Sequence, residues 1–141
     1  MAGSVVVADM EAGLEHLSWA GGTLRHVDLL LVVVEVQPKA LLTAKRIIAL
    51  ARQLGIPTTA LVGNRVRHGD RQRLEGFGAE HGCALLGVIP DDAAMRWADR
   101  TGTCPVDSVP ASAAVQAITD LAGVLQSRFM DGRPSSDRSG S

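Results

Sequence analysis

Tyrosine is absent from the 141 residues, and tryptophan and phenylalanine occur only twice each. Stacking of nucleic-acid bases on aromatic side chains therefore has almost no material here. Charge of one sign is lacking too. Fourteen Lys and Arg stand against fifteen Asp and Glu, for a formal charge of −1, and the cations are scattered. The basic footprint of a nucleic-acid-binding module is missing. The two cysteines, Cys83 and Cys104, have no CxxC spacing and offer neither a disulfide framework nor a recognisable zinc site. A reducing cytoplasm is the expected compartment. Long hydrophobic runs are absent as well: the longest, Leu29 to Val34, is six residues where a bilayer needs roughly 20. Val5 to Val7 is too short for a signal peptide and is soon followed by Asp9. A soluble protein with no membrane partner is expected.

What the chain does have is aliphatic residues, within 46% hydrophobic and 21% charged content, enough for one globular domain with a layered core. The runs Val5 to Ala8 and Leu29 to Val34 are unbroken rather than alternating, as in strands covered on both faces. From Pro38 to Leu54 the pattern turns helical, with Leu41, Ala44, Ile48 and Ala51 on one stripe and Gly55 and Pro57 as stops. Thr58 to Val62 predicts a third strand ended by Gly63, and Asp70 to His81 a weaker helix that carries Gly76 and Gly78. Ala84 to Ile89 predicts a fourth strand. A short helix follows, with Asp91 as its cap, and a longer one from about Pro110 to Ser127 presents Ala114, Ile118, Leu121 and Leu125. This order predicts an α/β domain over residues 1–128, with an open, mainly parallel sheet flanked by helices. The Gly, Pro, Ser, Asp and Arg composition after Phe129 predicts a disordered tail over 129–141.

In such sheets ligands bind beyond the carboxyl ends of the strands. That singles out Asp9 to Gly13, Glu35 to Pro38, Gly63 to Arg67 and Pro90 to Asp92. A strand-tip carboxylate beside a glycine turn suits Mg²⁺, which keeps several waters and needs one or two carboxylates plus substrate phosphates. Asp9 and Gly13 equally fit a capped turn. Asn64 offers one acceptor and two donors to a base edge, or merely a turn after Gly63. Pro90, Asp91 and Asp92 read either as a binding loop or as a strand stop followed by a cap. Glu15 and His16 are adjacent and diverge on a helix, so they read as a solvated pair. Arg65, Arg67, His68, Arg71 and Arg73 read as a solvated basic face.

The series VVVADMEAGLEHL, VDLLLVVVEVQPKALLTAKRIIALARQLGI, ALVGNRVR and LLGVIPDD resembles, in order and spacing, the CooC-like carbon monoxide dehydrogenase maturation ATPases of the MinD/ParA class of P-loop NTPases. The resemblance covers roughly Val5 to Gly102. It implies that Asp9 is the Walker B or switch II aspartate, holding magnesium through water, and that Gly13 is the glycine that senses the terminal phosphate. It further implies that Asn64, with Arg65 beside it, reads the nucleotide base and that Pro90 and Asp91 close over it. ATP and Mg²⁺ are the implied cofactors. The implied partners are a second nucleotide-bound copy or an N-terminal half, and a metalloenzyme client such as carbon monoxide dehydrogenase, which receives nickel.

The phosphate-binding string of that class, KGGxGK[ST], does not occur in these residues, and Gly21-Gly22-Thr23 lacks its lysine. Phosphoryl transfer depends mainly on positioning and charge neutralisation, so this chain alone is not expected to hydrolyse ATP. Two readings stay open: a truncated or split ATPase supplying switch II and base recognition, or a non-catalytic interaction partner that keeps the scaffold. A receiver domain with Asp9 as phosphoacceptor lacks the acidic pair upstream, and a Rossmann dehydrogenase lacks GxGxxG.

Overall fold

A computed structural model of the chain describes residues 5–10, 24 and 26–130. Three strands, β1 (Leu29–Val34), β2 (Thr58–Val66) and β3 (Ala84–Pro90), form a parallel sheet in the order β1-β2-β3. Helix α1 (Pro38–Gln53) connects β1 to β2, and α2 (Asp70–His81) connects β2 to β3. After β3 come α3 (Ala93–Thr101), the single turn α4 (Pro105–Ser108) and α5 (Ala113–Leu125), which runs into a π-helical turn over Gln126–Met130. Phe129 and Met130 thus continue the last helix, and the expected tail from residue 131 onward lies outside the described residues.

The sheet is covered unequally. Val32 and Val34 of β1, Leu61 of β2, Ala44 and Ile48 of α1, and Leu74 of α2 make one buried cluster, so α1 and α2 share a face. Successive strand residues point to opposite sides. Gly87, where a Cβ would meet Leu121 of α5 at 3.5 Å, therefore faces the other layer, and Val88 faces the first. Val33, between two buried valines, is 60% exposed, so the α5 side of β1 is open among the described residues. Burial of Leu61 and Leu74, each 0% exposed, contributes about 1.5–3 kcal/mol per side chain.

Most expected elements are present, with three corrections. Val5 to Ala8 is not a strand: it is irregular, and Val6 and Val7 are more than four-fifths exposed. A strand needs a ladder partner, and the described sheet pairs β1 only with β2. β2 does not stop at Gly63 but runs to Val66, because its ladder with β3 resumes at Pro90. On α5 Ala114 is buried and Leu121 and Leu125 are half-buried, as expected, but Ile118 is exposed and Val115 is buried in its stead.

Helix α2 tolerates one of its glycines for a packing reason. A Cβ on Gly78 would lie 2.4 Å from the carbonyl oxygen of Cys83, at the turn into β3. The helix can approach that turn only without a side chain there.

Candidate functional site

The carboxyl ends of the three strands bring Glu35, Asn64, Arg65, Pro90 and Asp91 to the same end of the sheet. Gly63 pairs with Val88 and Val66 with Pro90, so three steps along β2 are matched by two along β3. The surplus residue makes a bulge at Asn64–Arg65, which bends the strand and re-aims its side chains. Arg65 has φ of 49°, the one positive value among described residues other than glycine. A non-glycine residue held there costs about 1–3 kcal/mol.

Packing beneath the bulge leaves it little freedom. A Cβ on Gly63 would meet Leu74 Cδ1 at 2.5 Å, Val66 Cγ2 at 2.8 Å and Val88 Cγ1 at 3.2 Å. These side chains close over the glycine, and the strand must rise past them. On the outside, the Arg65 guanidinium lies 3.6 Å from the Glu35 carboxylate, with side chains 68% and 32% exposed. A pair so solvated contributes about 0–1 kcal/mol and does not by itself offset the backbone cost.

Asn64 is half-buried, and its side-chain amide makes no hydrogen bond to another described residue. One acceptor and two donors are thus open at the bulged strand end. Asp91 differs. Its backbone N–H donates to the Val66 carbonyl at 3.1 Å, and its carboxylate accepts from Arg67 Nε at 3.3 Å and from Arg96. Its oxygens therefore bind the β2–α2 loop to α3, and Asp91 does not cap the helix.

The cap is Asp92. One carboxylate oxygen accepts the Ala94 N–H at 2.8 Å at the start of α3, and the other accepts the Ala114 N–H at 3.0 Å at the start of α5. The Ala114 and Ala94 N–H donors hold the Asp92 carboxyl below the usual carboxylate range, against a smaller opposing effect of burial. The Ser112 hydroxyl and the Arg96 charge act in the same direction as the two amides. Ser112 caps α5, accepting from the Val115 N–H at 3.2 Å. Both caps belong to residue types favoured at that position, yet Asp91 and Asp92 qualify equally by type. Only the phase of the helix separates them.

Asp9 is exposed in the irregular segment 5–10, and Gly13, Glu15 and His16 lie outside the described residues. The structure thus gathers Asn64, Arg65, Pro90 and Asp91 and does not place Asp9 in a strand tip. No group of three or more His, Cys, Asp or Glu among the described residues is arranged to hold a metal ion. A single carboxylate such as Asp9 fits magnesium only through the ion's water shell. Of the basic residues, Arg71 pairs with Glu75 at 3.1 Å and Arg73 with Asp70 at 3.9 Å, as expected of a solvated face. No helix of the described residues is long and apolar enough to cross a membrane.

No protein-family profile matches the chain. Among curated proteins it is 43% identical over 89 residues to an uncharacterised ATP-binding protein of Methanocaldococcus jannaschii, covering 62% of this chain and 34% of that one. It is 39% identical over 111 residues to the carbon monoxide dehydrogenase accessory protein CooC of Rhodospirillum rubrum, covering 75% and 39%. The chain thus spans little more than a third of the length of these relatives. Among solved structures, MinD of Aquifex aeolicus superposes with a TM-score of 0.64 at 21% identity, over 79% of this chain and 49% of that one. MinD of Pyrococcus horikoshii, solved with Mg-ADP, gives 0.58 at 21% identity, over 74% and 43%. The chain is a relative of the CooC-like ATP-binding proteins, built on the fold of the MinD/ParA class.

Proposed function

We propose that this chain supplies the base-recognition part of an ATP pocket whose phosphate cradle comes from a segment outside these 141 residues. The observation that carries the reading is the unengaged Asn64 amide on a bulged strand end, next to the Pro90–Asp91 loop. An amide there can pair with the adenine edge, accepting from the exocyclic amine and donating to a ring nitrogen. Arg65 and Pro90 line the same rim, and Asp91 stiffens it through Arg67 and Arg96.

Phosphate binding and magnesium belong to the other part of the pocket. When the segment carrying Asp9 and Gly13 docks at the sheet end, Asp9 would hold magnesium through water and Gly13 would donate its N–H to the terminal phosphate. Among the described residues the α5 side of β1 is open and its outer edge unpaired, which leaves room for further strands. The kinship to an accessory protein of carbon monoxide dehydrogenase makes nickel insertion into a metalloenzyme the favoured role, in the cytoplasm, with a second copy or a phosphate-loop-bearing polypeptide as partner.

The test is a titration with fluorescent ATP and GTP analogues of the chain combined with a polypeptide bearing the phosphate loop. Asn64→Ala should weaken ATP about five- to tenfold, the worth of roughly one hydrogen bond, and leave GTP nearly unchanged. Equal loss for both nucleotides removes Asn64 from base reading. Magnesium-dependent ATP hydrolysis by this chain alone, abolished by Asp9→Ala, would overturn the divided pocket.

A further inference from the structure

We infer that the left-handed backbone of Arg65, rather than its guanidinium, is the element that aims the Asn64 amide at a purine edge, which makes Arg65 a specificity-positioning residue. The inference rests on the base-reading role proposed for Asn64 and adds what sets its direction.

In a regular strand Asn64 would continue the alternation set by Val62 and Gly63 and follow the pleat. The ladder forbids that, because Gly63 is fixed to Val88 and Val66 to Pro90 with one residue too many between them. Arg65 absorbs the surplus at φ 49°. The segment is confined on both sides: Leu74, Val66 and Val88 close over Gly63, and the Asp91 N–H holds the Val66 carbonyl at 3.1 Å. With both ends pinned, the conformation of Arg65 decides which way Asn64 faces. The arginine side chain contributes little to this, since its only described ionic partner is Glu35, in a solvent-exposed pair at 3.6 Å.

Arginine is an unusual choice for that backbone, which glycine adopts freely and β-branched residues resist. Substitution can therefore separate the backbone from the side chain. Arg65→Gly removes the guanidinium and keeps the left-handed conformation accessible. Arg65→Val removes it and opposes the conformation, and Arg65→Ala does so more mildly. Glu35→Gln removes the ion pair and leaves Arg65 in place.

The experiment follows the side-chain amide signal of Asn64 in the ¹⁵N-labelled chain by NMR, first without ligand and then with adenosine or guanosine as phosphate-free probes. Arg65→Gly and Glu35→Gln should keep the wild-type position of that signal and the adenosine-over-guanosine preference. Arg65→Val should move the signal and lower the preference about tenfold, the effect of misplacing one or two hydrogen bonds. Should Arg65→Val fail to fold, Arg65→Ala should give a smaller change of the same kind. The inference is overturned if Arg65→Gly or Glu35→Gln changes the signal as much as Arg65→Val, or if the folded Val or Ala variant leaves it in place. A wild-type chain that shows no preference between the two nucleosides refutes base reading by Asn64, while the ligand-free signals still decide what sets its direction.

Discussion

The carboxylate of Asp92 accepts the backbone N–H of Ala114, 22 residues further along the chain, at 3.0 Å, while its other oxygen accepts the Ala94 N–H. One side chain thereby closes the first turns of two helices, α3 and α5. Helix N-termini carry unpaired N–H donors and favour negative charge, so the ionised form is the stabilising one.

The pH dependence follows. The Asp92 carboxyl is held below its ordinary value, so its contribution is complete above about pH 3.9 and is lost as pH falls through the depressed folded value. Denaturant unfolding should find the wild type more stable than Asp92→Asn at pH 7, with the gap closing in acid. A gap of the same size at pH 7 and at pH 2 would mean that the charge is not what matters.

The two glycines within α2 should respond to alanine with opposite signs. Gly76 has nothing within 4 Å of a new Cβ, so Gly76→Ala should stabilise by about 0.5–1 kcal/mol through helix propensity. At Gly78 the obstacle is the backbone oxygen of Cys83, which no rotamer change can move. Gly78→Ala should cost about 1–3 kcal/mol, and thermal melts of the two variants test the pair.

Thiol labelling should proceed in two stages. Cys104 is exposed and Cys83 is buried, with its Sγ donating to the Thr59 carbonyl at 3.3 Å. Burial pushes the Cys83 thiol up, against a smaller lowering by the Arg52 charge. The thiolate is the reactive form, so one equivalent of maleimide should react quickly and the second only on unfolding. Two rapid equivalents would show that the α2–β3 turn opens readily.

Leu61 is fully buried between the layers, and Leu61→Ala should cost about 2–5 kcal/mol. Val33, next to the Val32 that pairs with Leu61 and on the open side of β1, should tolerate Val33→Thr with a change of about 0.5 kcal/mol or less. Urea midpoints of the two variants compare a sealed position with an uncovered one.

The architecture was largely legible in the residues. Leu29 to Val34 reads as a strand because six aliphatic residues run without a break, and α1 because Pro38 starts it and Ala44, Ile48 and Ala51 recur on one face. Val5 to Ala8 has the same composition and no strand, since pairing depends on a neighbour that composition does not supply. Gly63 reads as a stop, and only the ladder to Pro90 carries β2 past it. The site was legible in part. Asn64 lies at the carboxyl end of the sheet, as its place in the sequence suggests, but the bulge beside it arises from a count of residues between two pairings on different strands, which no local pattern records. Asp91 and Asp92 are alike in type, and their different tasks follow from where Arg67, Arg96 and Ala114 lie in space.

Spatial order in the sheet repeats chain order, β1, β2, β3, each strand pairing with its predecessor through a single helical crossover. Every described strand pairing therefore joins residues 24–29 positions apart, and loop closure over such distances is inexpensive. The polypeptide can zip up progressively as it emerges during synthesis, each crossover building on a surface already laid down.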